Sequence, residues 1–215
     1  MNAPATALLF DMDGVIVDST ALHTEAWRVY LRELGMDVED IEGRMLGKHN
    51  ADLVRDFFAG HELSPETIYH HGARKEAMYR EMLRPVWEHH LVPGVVDFIR
   101  RHRQQPMAVG SNAEPANVKL VLELAGIREC FGAIVDGHQV SRPKPHPDVY
   151  LLAADLLGVH PERCIVFEDS ATGIEAALAA DMRVVGVTTT MSTLRGADLL
   201  ISNFLDSELE AWLKR

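Results

Sequence analysis

Two aspartates one residue apart, Asp11 and Asp13, close the apolar run Leu8-Leu9-Phe10 and are followed at once by Gly14. If Ala5 to Phe10 is a buried strand, both carboxylates stand just past its C-terminal end. In open α/β sheets that is the edge where active sites gather. Period-two geometry lets the two side chains lean the same way. Acids this close repel unless a cation lies between them or one of them holds a proton. The pair therefore points to a metal and to acid–base chemistry, although Asp-x-Asp alone is also the pattern of a solvated turn.

Further polar residues fall at corresponding places. Ser111 follows the apolar run Met107 to Gly110, and Glu168 and Asp169 follow Cys164 to Phe167. Lys144 lies in the proline-locked loop Arg142-Pro143-Lys144-Pro145-His146-Pro147, beyond Ala133-Ile134-Val135. Each has a structural reading: a helix-entry turn for Ser111, a cap for Glu168-Asp169, a surface position for Lys144. Gathered on one rim they make four carboxylates, a hydroxyl and an ammonium, which is a set suited to phosphoryl transfer. Carboxylates supply the hard oxygen ligands that Mg²⁺ prefers. One aspartate can attack phosphorus while a second moves a proton. Lysine and a hydroxyl can hold the equatorial oxygens, where positioning and charge do most of the catalysis.

These residues need elements that bring distant segments to one edge. Beyond the first strand, strand patterns recur at Met107–Gly110, Ala133–Val135, Cys164–Phe167, Val184–Val187 and Leu199–Ile201. They alternate with helix patterns at Val95–His102, Pro115–Leu124, Asp148–Leu157 (opened by Pro147) and Ala171–Ala180 (capped by Ser170). The alternation predicts an α/β protein, a Rossmann-like parallel sheet with helices on both faces.

No strand pattern occurs between about Ser19 and His90. Ser19 offers an N-cap to a helix carrying Leu22, Ala26, Val29, Tyr30 and Leu34 on one side, with Gly35 as its stop. Asn50 to Ala59 reads as a second helix, and Ser64-Pro65-Glu66 opens a third toward Arg84. The expected organisation is a catalytic core of residues 1–17 and 93–215 with an inserted all-helical cap of residues 18–92. Hinges are expected near Val15–Ser19 and Glu88–Gly94.

The chain has 215 residues, enough for a sizeable core and a smaller domain. A formal net charge of −11 without a basic run argues against nucleic acid or an anionic membrane as the main partner. A metal and a lysine that dominate the field locally still suit a small phosphorylated metabolite. Nothing approaches a membrane span. The N-terminal apolar run is short, lacks a basic lead and is broken by Asp11, so it is not read as a signal peptide. Cys130 and Cys164 show no metal-ligand spacing and read as reduced core thiols of a cytoplasmic protein. The expected state is a monomer, with a dimer as the alternative.

Asp11-x-Asp13-Gly14-Val15, Ser111-Asn112, Lys144-Pro145-x-Pro147-Asp148 and Glu168-Asp169-Ser170 resemble the four ordered motifs of the haloacid-dehalogenase-like (HAD) superfamily. The inserted helical block resembles the cap of its β-phosphoglucomutase-like and sugar-phosphatase branch. The resemblance implies Asp11 as nucleophile and Asp13 as general acid and base. It implies Mg²⁺ held by the Asp11 side chain, the Asp13 backbone carbonyl and Asp169, with Glu168 in support. Ser111 and Lys144 would bind the transferring phosphoryl group, and backbone N–H groups of Met12, Asp13 and Asn112 would donate to it. The presence of Asp13 argues against dehalogenation, which has no alkoxide leaving group to protonate.

The expected activity is a Mg²⁺-dependent phosphatase acting on a small phosphomonoester, a sugar phosphate, through an aspartyl-phosphate. The alternative is a sugar-phosphate mutase. His23-x-x-x-Trp27 looks like the mutase pattern, but Gly47-Lys48-His49-Asn50 stands where the mutase carries an arginine, and Glu114 follows Ser111-Asn112-Ala113 where it carries a second basic residue. Lys48 cannot reproduce an arginine's bidentate grip. His23, Lys48 and Asn50 are the substrate-contact candidates of the cap. A phosphonate hydrolase using Lys48 and a non-catalytic binding protein on the same fold are the remaining readings. His61 and the pairs His70-His71 and His89-His90 are expected to be solvated.

Overall fold

Apolar runs too short for helices, several bounded by glycine or by charged residues, form one parallel sheet. Its strands are β1 (Ala7–Phe10), β2 (Met107–Gly110), β3 (Ala133–Val135), β4 (Cys164–Glu168), β5 (Arg183–Val187) and β6 (Leu199–Ile201). They lie in the order β3-β2-β1-β4-β5-β6, every pairing parallel. In this computed structural model residues 6–45, 48 and 50–214 are described. Ala5 of the expected first strand, and Gly47 and His49 of the stretch Gly47-Lys48-His49-Asn50, lie outside them.

The chain divides into two units, Met1–Asp18 with Trp87–Arg215, and Ser19–Val86. The second is helical: α1 (Thr20–Glu33), α2 (Ile41–Met45), α3 (Asn50–Phe57) and α4 (Pro65–Leu83). Ser64 caps α4, its hydroxyl accepting the Thr67 N–H at 3.1 Å, with Pro65 at the first helical position as the sequence predicts. The buried stripe of α1 differs from expectation. Ala26, Trp27, Tyr30 and Leu31 are buried whereas Leu34 is 45% exposed. Trp27 packs edge-on against Phe57 at 5.1 Å, and this large aromatic contact selects the face. His71 is also not a solvated surface residue. Its Nδ1 lies 2.6 Å from the Tyr30 hydroxyl and its ring 4.1 Å from that of Phe58. Burial, with His70 beside it, lowers its pKa.

The sheet unit adds α5 (Trp87–His90), α6 (Val95–Arg101), α7 (Pro115–Leu124), α8 (Asp148–Leu157), α9 (Ala171–Ala179) and α10 (Ser207–Trp212). Both sheet faces are covered. Ala7 and Leu9 of β1 join Val149, Ala153, Ile174 and Ala177 from α8 and α9 in one core cluster. Phe10, pointing the other way, stacks on Phe167 at 4.7 Å and meets Phe98 of α6 and Phe204. The result is a six-stranded Rossmann-like fold. His90 Nδ1 lies 2.8 Å from the Asp18 carbonyl, so it too has a protein partner. No helix among the described residues is long and apolar enough to cross a membrane.

Candidate active site

The strand order reverses between β1 and β4, and crevices that bind ligands open at such points, beyond the C-terminal strand ends. Asp11 leaves β1 there and Asp169 leaves β4. The ladders run one residue past the strands: Asp11 N–H donates to the Phe167 carbonyl and Ser111 N–H to the Val135 carbonyl, each at 3.0 Å. Both functional residues are thus anchored by backbone before their side chains begin. The Met12 carbonyl then gathers the N–H groups of Ile16 at 2.8 Å and Val17 at 3.1 Å, which closes the Asp11–Val17 turn. Gly14 sits in it at φ +75°, and a Cβ there would overlap the Asp169 carboxylate. Only glycine fits.

Lys144 is drawn inward rather than left on the surface. Its ammonium donates to Asp11 Oδ1 at 2.6 Å and to Glu168 Oε1 at 2.7 Å, and all three side chains are buried. Its loop is held by Asn112, whose side-chain oxygen accepts the Lys144 N–H at 3.2 Å. The Lys144–Pro145 peptide is cis. Glu168 is held at both ends. Oε1 also accepts the Tyr150 hydroxyl at 2.8 Å, while Oε2 accepts Asp169 N–H, Ser170 N–H and the Ser170 hydroxyl. Gly173 makes room, since a Cβ there would overlap the Glu168 carboxylate. Ser111, also buried, accepts the Ala113 N–H at 3.1 Å.

Charge is unbalanced here. Burial pushes the Asp11 carboxyl up to about 7 despite the pull of Lys144, with Glu168 and Asp13 raising it further. Burial also holds Asp169 well above the usual carboxylate range; Glu168, Asp11 and Asp13 add to this and the Thr190 hydroxyl opposes it. Burial alone would lower the Lys144 pKa, but Asp11 and Glu168 outweigh it and keep the ammonium charged. Burial and neighbouring carboxylates thus raise both Asp11 and Asp169 around one lysine.

Three site neighbours have no counterpart among the sequence-predicted residues. Tyr150 reaches Glu168 from α8. After β5, Thr190 donates to Asp169 Oδ2 and Thr189 to the Gly14 carbonyl. The only sequence signal for them was position: Tyr150 two residues after Asp148, and the run Thr188-Thr189-Thr190 after a strand.

The candidates in the helical unit form a separate arrangement. Lys75, itself buried, places its ammonium 2.8 Å from His23 Nδ1 and 2.8 Å from Glu76 Oε1. The Asn50 amide donates to the same glutamate oxygen, and the His23 ring stacks on Tyr79 at 3.8 Å. Lys48 stands apart, paired with Asp56 at 2.9 Å, an acid that Arg44 also engages.

The family model of the haloacid dehalogenase-like hydrolases matches residues 5–181. The chain belongs to that family. It is 37% identical over 182 residues to the fructose-1-phosphate phosphatase YqaB of Escherichia coli (strain K12), which covers 84% of this chain and 95% of that protein. It is 30% identical over 213 residues to the β-phosphoglucomutase of Bacillus subtilis (strain 168), covering 95% and 92%. Among solved structures it resembles a family IA HAD hydrolase (variant 3) from Entamoeba histolytica HM-1:IMSS, with a TM-score of 0.86, 27% identity and coverage of 97% and 98%. The Rossmann-like sheet of this HAD hydrolase brings Asp11, Ser111, Lys144, Glu168 and Asp169 to one rim.

Proposed function

We propose that this hydrolase is a Mg²⁺-dependent phosphatase that cleaves a small phosphomonoester, a sugar phosphate, through an aspartyl-phosphate on Asp11. The observation that carries the reading is the Lys144 ammonium bound between Asp11 and Glu168, with Asp169 beside them. The phosphatase similarity supports it.

Asp11 and Asp169 are buried, burial with Glu168 and Asp13 raises the proton affinity of both, and one lysine lies near them, so a second cation suits the charge. Among the described residues no three His, Cys, Asp or Glu side chains group as a ready metal cage. Mg²⁺ takes one or two carboxylates and keeps its waters, a demand that Asp11 and Asp169 can meet. The residues to hold it are Asp11, the Asp13 backbone carbonyl and Asp169, with Glu168 in support. When bound, it supplies positive charge to the phosphoryl oxygens.

The chain's own residues do the remainder. An Asp11 carboxylate oxygen attacks phosphorus and the ester P–O bond breaks, its electron pair going to the leaving oxygen. Asp13 gives that oxygen a proton. Water then attacks the phosphoryl group, Asp13 takes a proton from it, and the P–O bond to Asp11 breaks to restore the carboxylate. Lys144 and Ser111, with backbone N–H groups of Met12, Asp13 and Asn112, hold the phosphoryl oxygens.

The β-phosphoglucomutase similarity favours a second reading, phosphate migration within a sugar phosphate. Charge within the helical unit supports hydrolysis instead. Lys75 is matched by Glu76, Lys48 shares Asp56 with Arg44, and Asn50 is tied to Glu76. The helical unit is read as a specificity cap and the substrate as the small-molecule partner. The two free thiols support action in the cytoplasm.

The test is phosphate release from an aryl phosphate and a panel of sugar phosphates, beside an assay for 1- to 6-phosphate isomerisation. Release that needs Mg²⁺ and vanishes in Asp11→Asn is expected. Full activity after chelation, or in that variant, refutes the mechanism, and isomerisation outrunning release makes the protein a mutase.

A further inference from the structure

We infer that Tyr150 is a positioning residue for phosphoryl transfer: its hydroxyl and its ring hold Glu168 and Lys144 in register with Asp11. The inference rests on the phosphatase reading above, in which Lys144 binds the transferring group.

One side chain from α8 touches three of the segments that build the rim. Its hydroxyl donates to Glu168 Oε1 at 2.8 Å, the oxygen that also receives Lys144 at 2.7 Å. Its ring lies under the ammonium, with Lys144 Nζ 4.7 Å from the ring centroid. Its edge packs on Gly110, where a Cβ would stand 3.0 Å from Cδ1 and Cε1, directly before Ser111. Tyr150 is wholly buried.

The arrangement matters because the ammonium is shared. Lys144 sits 2.6 Å from Asp11 and 2.7 Å from Glu168, so its place depends on how strongly each oxygen attracts it. The donors to Glu168 Oε2 are local, from Asp169 and Ser170, and fix the far side of the carboxylate. On Oε1 the partner besides Lys144 is the Tyr150 hydroxyl. A donated O–H takes up part of that oxygen's acceptor capacity and weakens its hold on the ammonium. Without it Oε1 draws Lys144 toward Glu168 and away from the phosphoryl group. The ring face is a weaker seat for the cation, which leaves it free to follow transferring oxygens.

Tyr150→Phe removes the hydroxyl and keeps the ring. With p-nitrophenyl phosphate at saturating Mg²⁺ we expect kcat to fall about ten- to hundredfold while KM changes less than about threefold. Inhibition by orthovanadate, which mimics five-coordinate phosphorus, should weaken in step with kcat/KM, and inhibition by inorganic phosphate should hardly move. A merely structural role would not separate these two inhibitors. In a Glu168→Gln background the same change should add less than about twofold, because the hydroxyl acts through that carboxylate. A kcat within about twofold of wild type, or a full multiplicative loss in the double variant, overturns the inference. Should Tyr150→Phe not fold, Glu168→Gln carries the test, and wild-type kcat in it is equally fatal. An inactive wild type, or an active Asp11→Asn, overturns the phosphatase reading and this inference with it. An active wild type with an unaffected Tyr150→Phe overturns the inference alone.

Discussion

Replacing Glu76 by glutamine should destabilise the protein at neutral pH and matter progressively less in acid. Glu76 is buried in the helical unit, bonded to the Lys75 ammonium at 2.8 Å and to the Asn50 amide. Burial works against its charge, but Lys75, His23 and Asn50 prevail and bring its pKa from 4.5 down to about 2. A carboxylate with a depressed folded pKa adds stability above its unfolded pKa and loses it as pH falls through the folded one. At about 1.4 kcal/mol per unit, the shift amounts to about 3 kcal/mol at pH 7 and about 1 kcal/mol at pH 3. Breaking a buried ion pair independently suggests about 3–5 kcal/mol, since Lys75 is left without its counter-ion. The assay is urea unfolding of wild type and Glu76→Gln, followed by tryptophan fluorescence at several pH values between 7 and 3. The gap should be wide at pH 7 and narrow below about pH 4.5. A gap that stays constant across the range, or is under about 1 kcal/mol at pH 7, refutes the reasoning.

Asp13→Asn should slow hydrolysis of alkyl phosphates far more than of p-nitrophenyl phosphate, whose leaving group needs no proton; equal losses in kcat would refute its acid role. Thr190→Val removes the hydroxyl donor to Asp169 and should raise the Mg²⁺ concentration for half-maximal activity by about tenfold, read from a metal titration. Gly173→Ala drives a Cβ into the Glu168 carboxylate, so activity should fall by at least about a hundredfold even where circular dichroism shows a folded protein.

The strand ends were legible because short apolar runs stop at charged or polar residues: Phe10 at Asp11, Gly110 at Ser111, Phe167 at Glu168. The order of Asp11, Ser111, Lys144 and Asp169 along the chain then matched their strand ends, and the sheet set them on one rim. Tyr150, Thr189 and Thr190 were not legible, because a lone aromatic or hydroxyl residue has no spacing to give it away and its partner is chosen only by packing. The α1 stripe was misread for a related reason. A 3.6-residue period accommodates both the Leu22–Val29 side and the Trp27–Leu31 side, and the contact of Trp27 with Phe57 decides between them. His71 owes its partner Tyr30 to the pairing of α1 with α4, a tertiary event without a local signature. Helix α10, capped by Asp206, is too short to show a periodic pattern.

The central place of β1 has a consequence for how the protein is made. Its two neighbours begin at Met107 and Cys164, so the earliest of the six strands is among the last to find both partners. At about 5–20 residues per second, the ribosome needs roughly 8–30 s to deliver β4 after β1. Until β2 emerges Leu8, Leu9 and Phe10 are an unpaired apolar template, and until β4 emerges one edge of β1 stays open. The segment Ser19–Val86, a compact unit by itself, can fold meanwhile. Nascent chains stalled before Cys164 should therefore be more aggregation-prone than chains stalled after β4 has emerged.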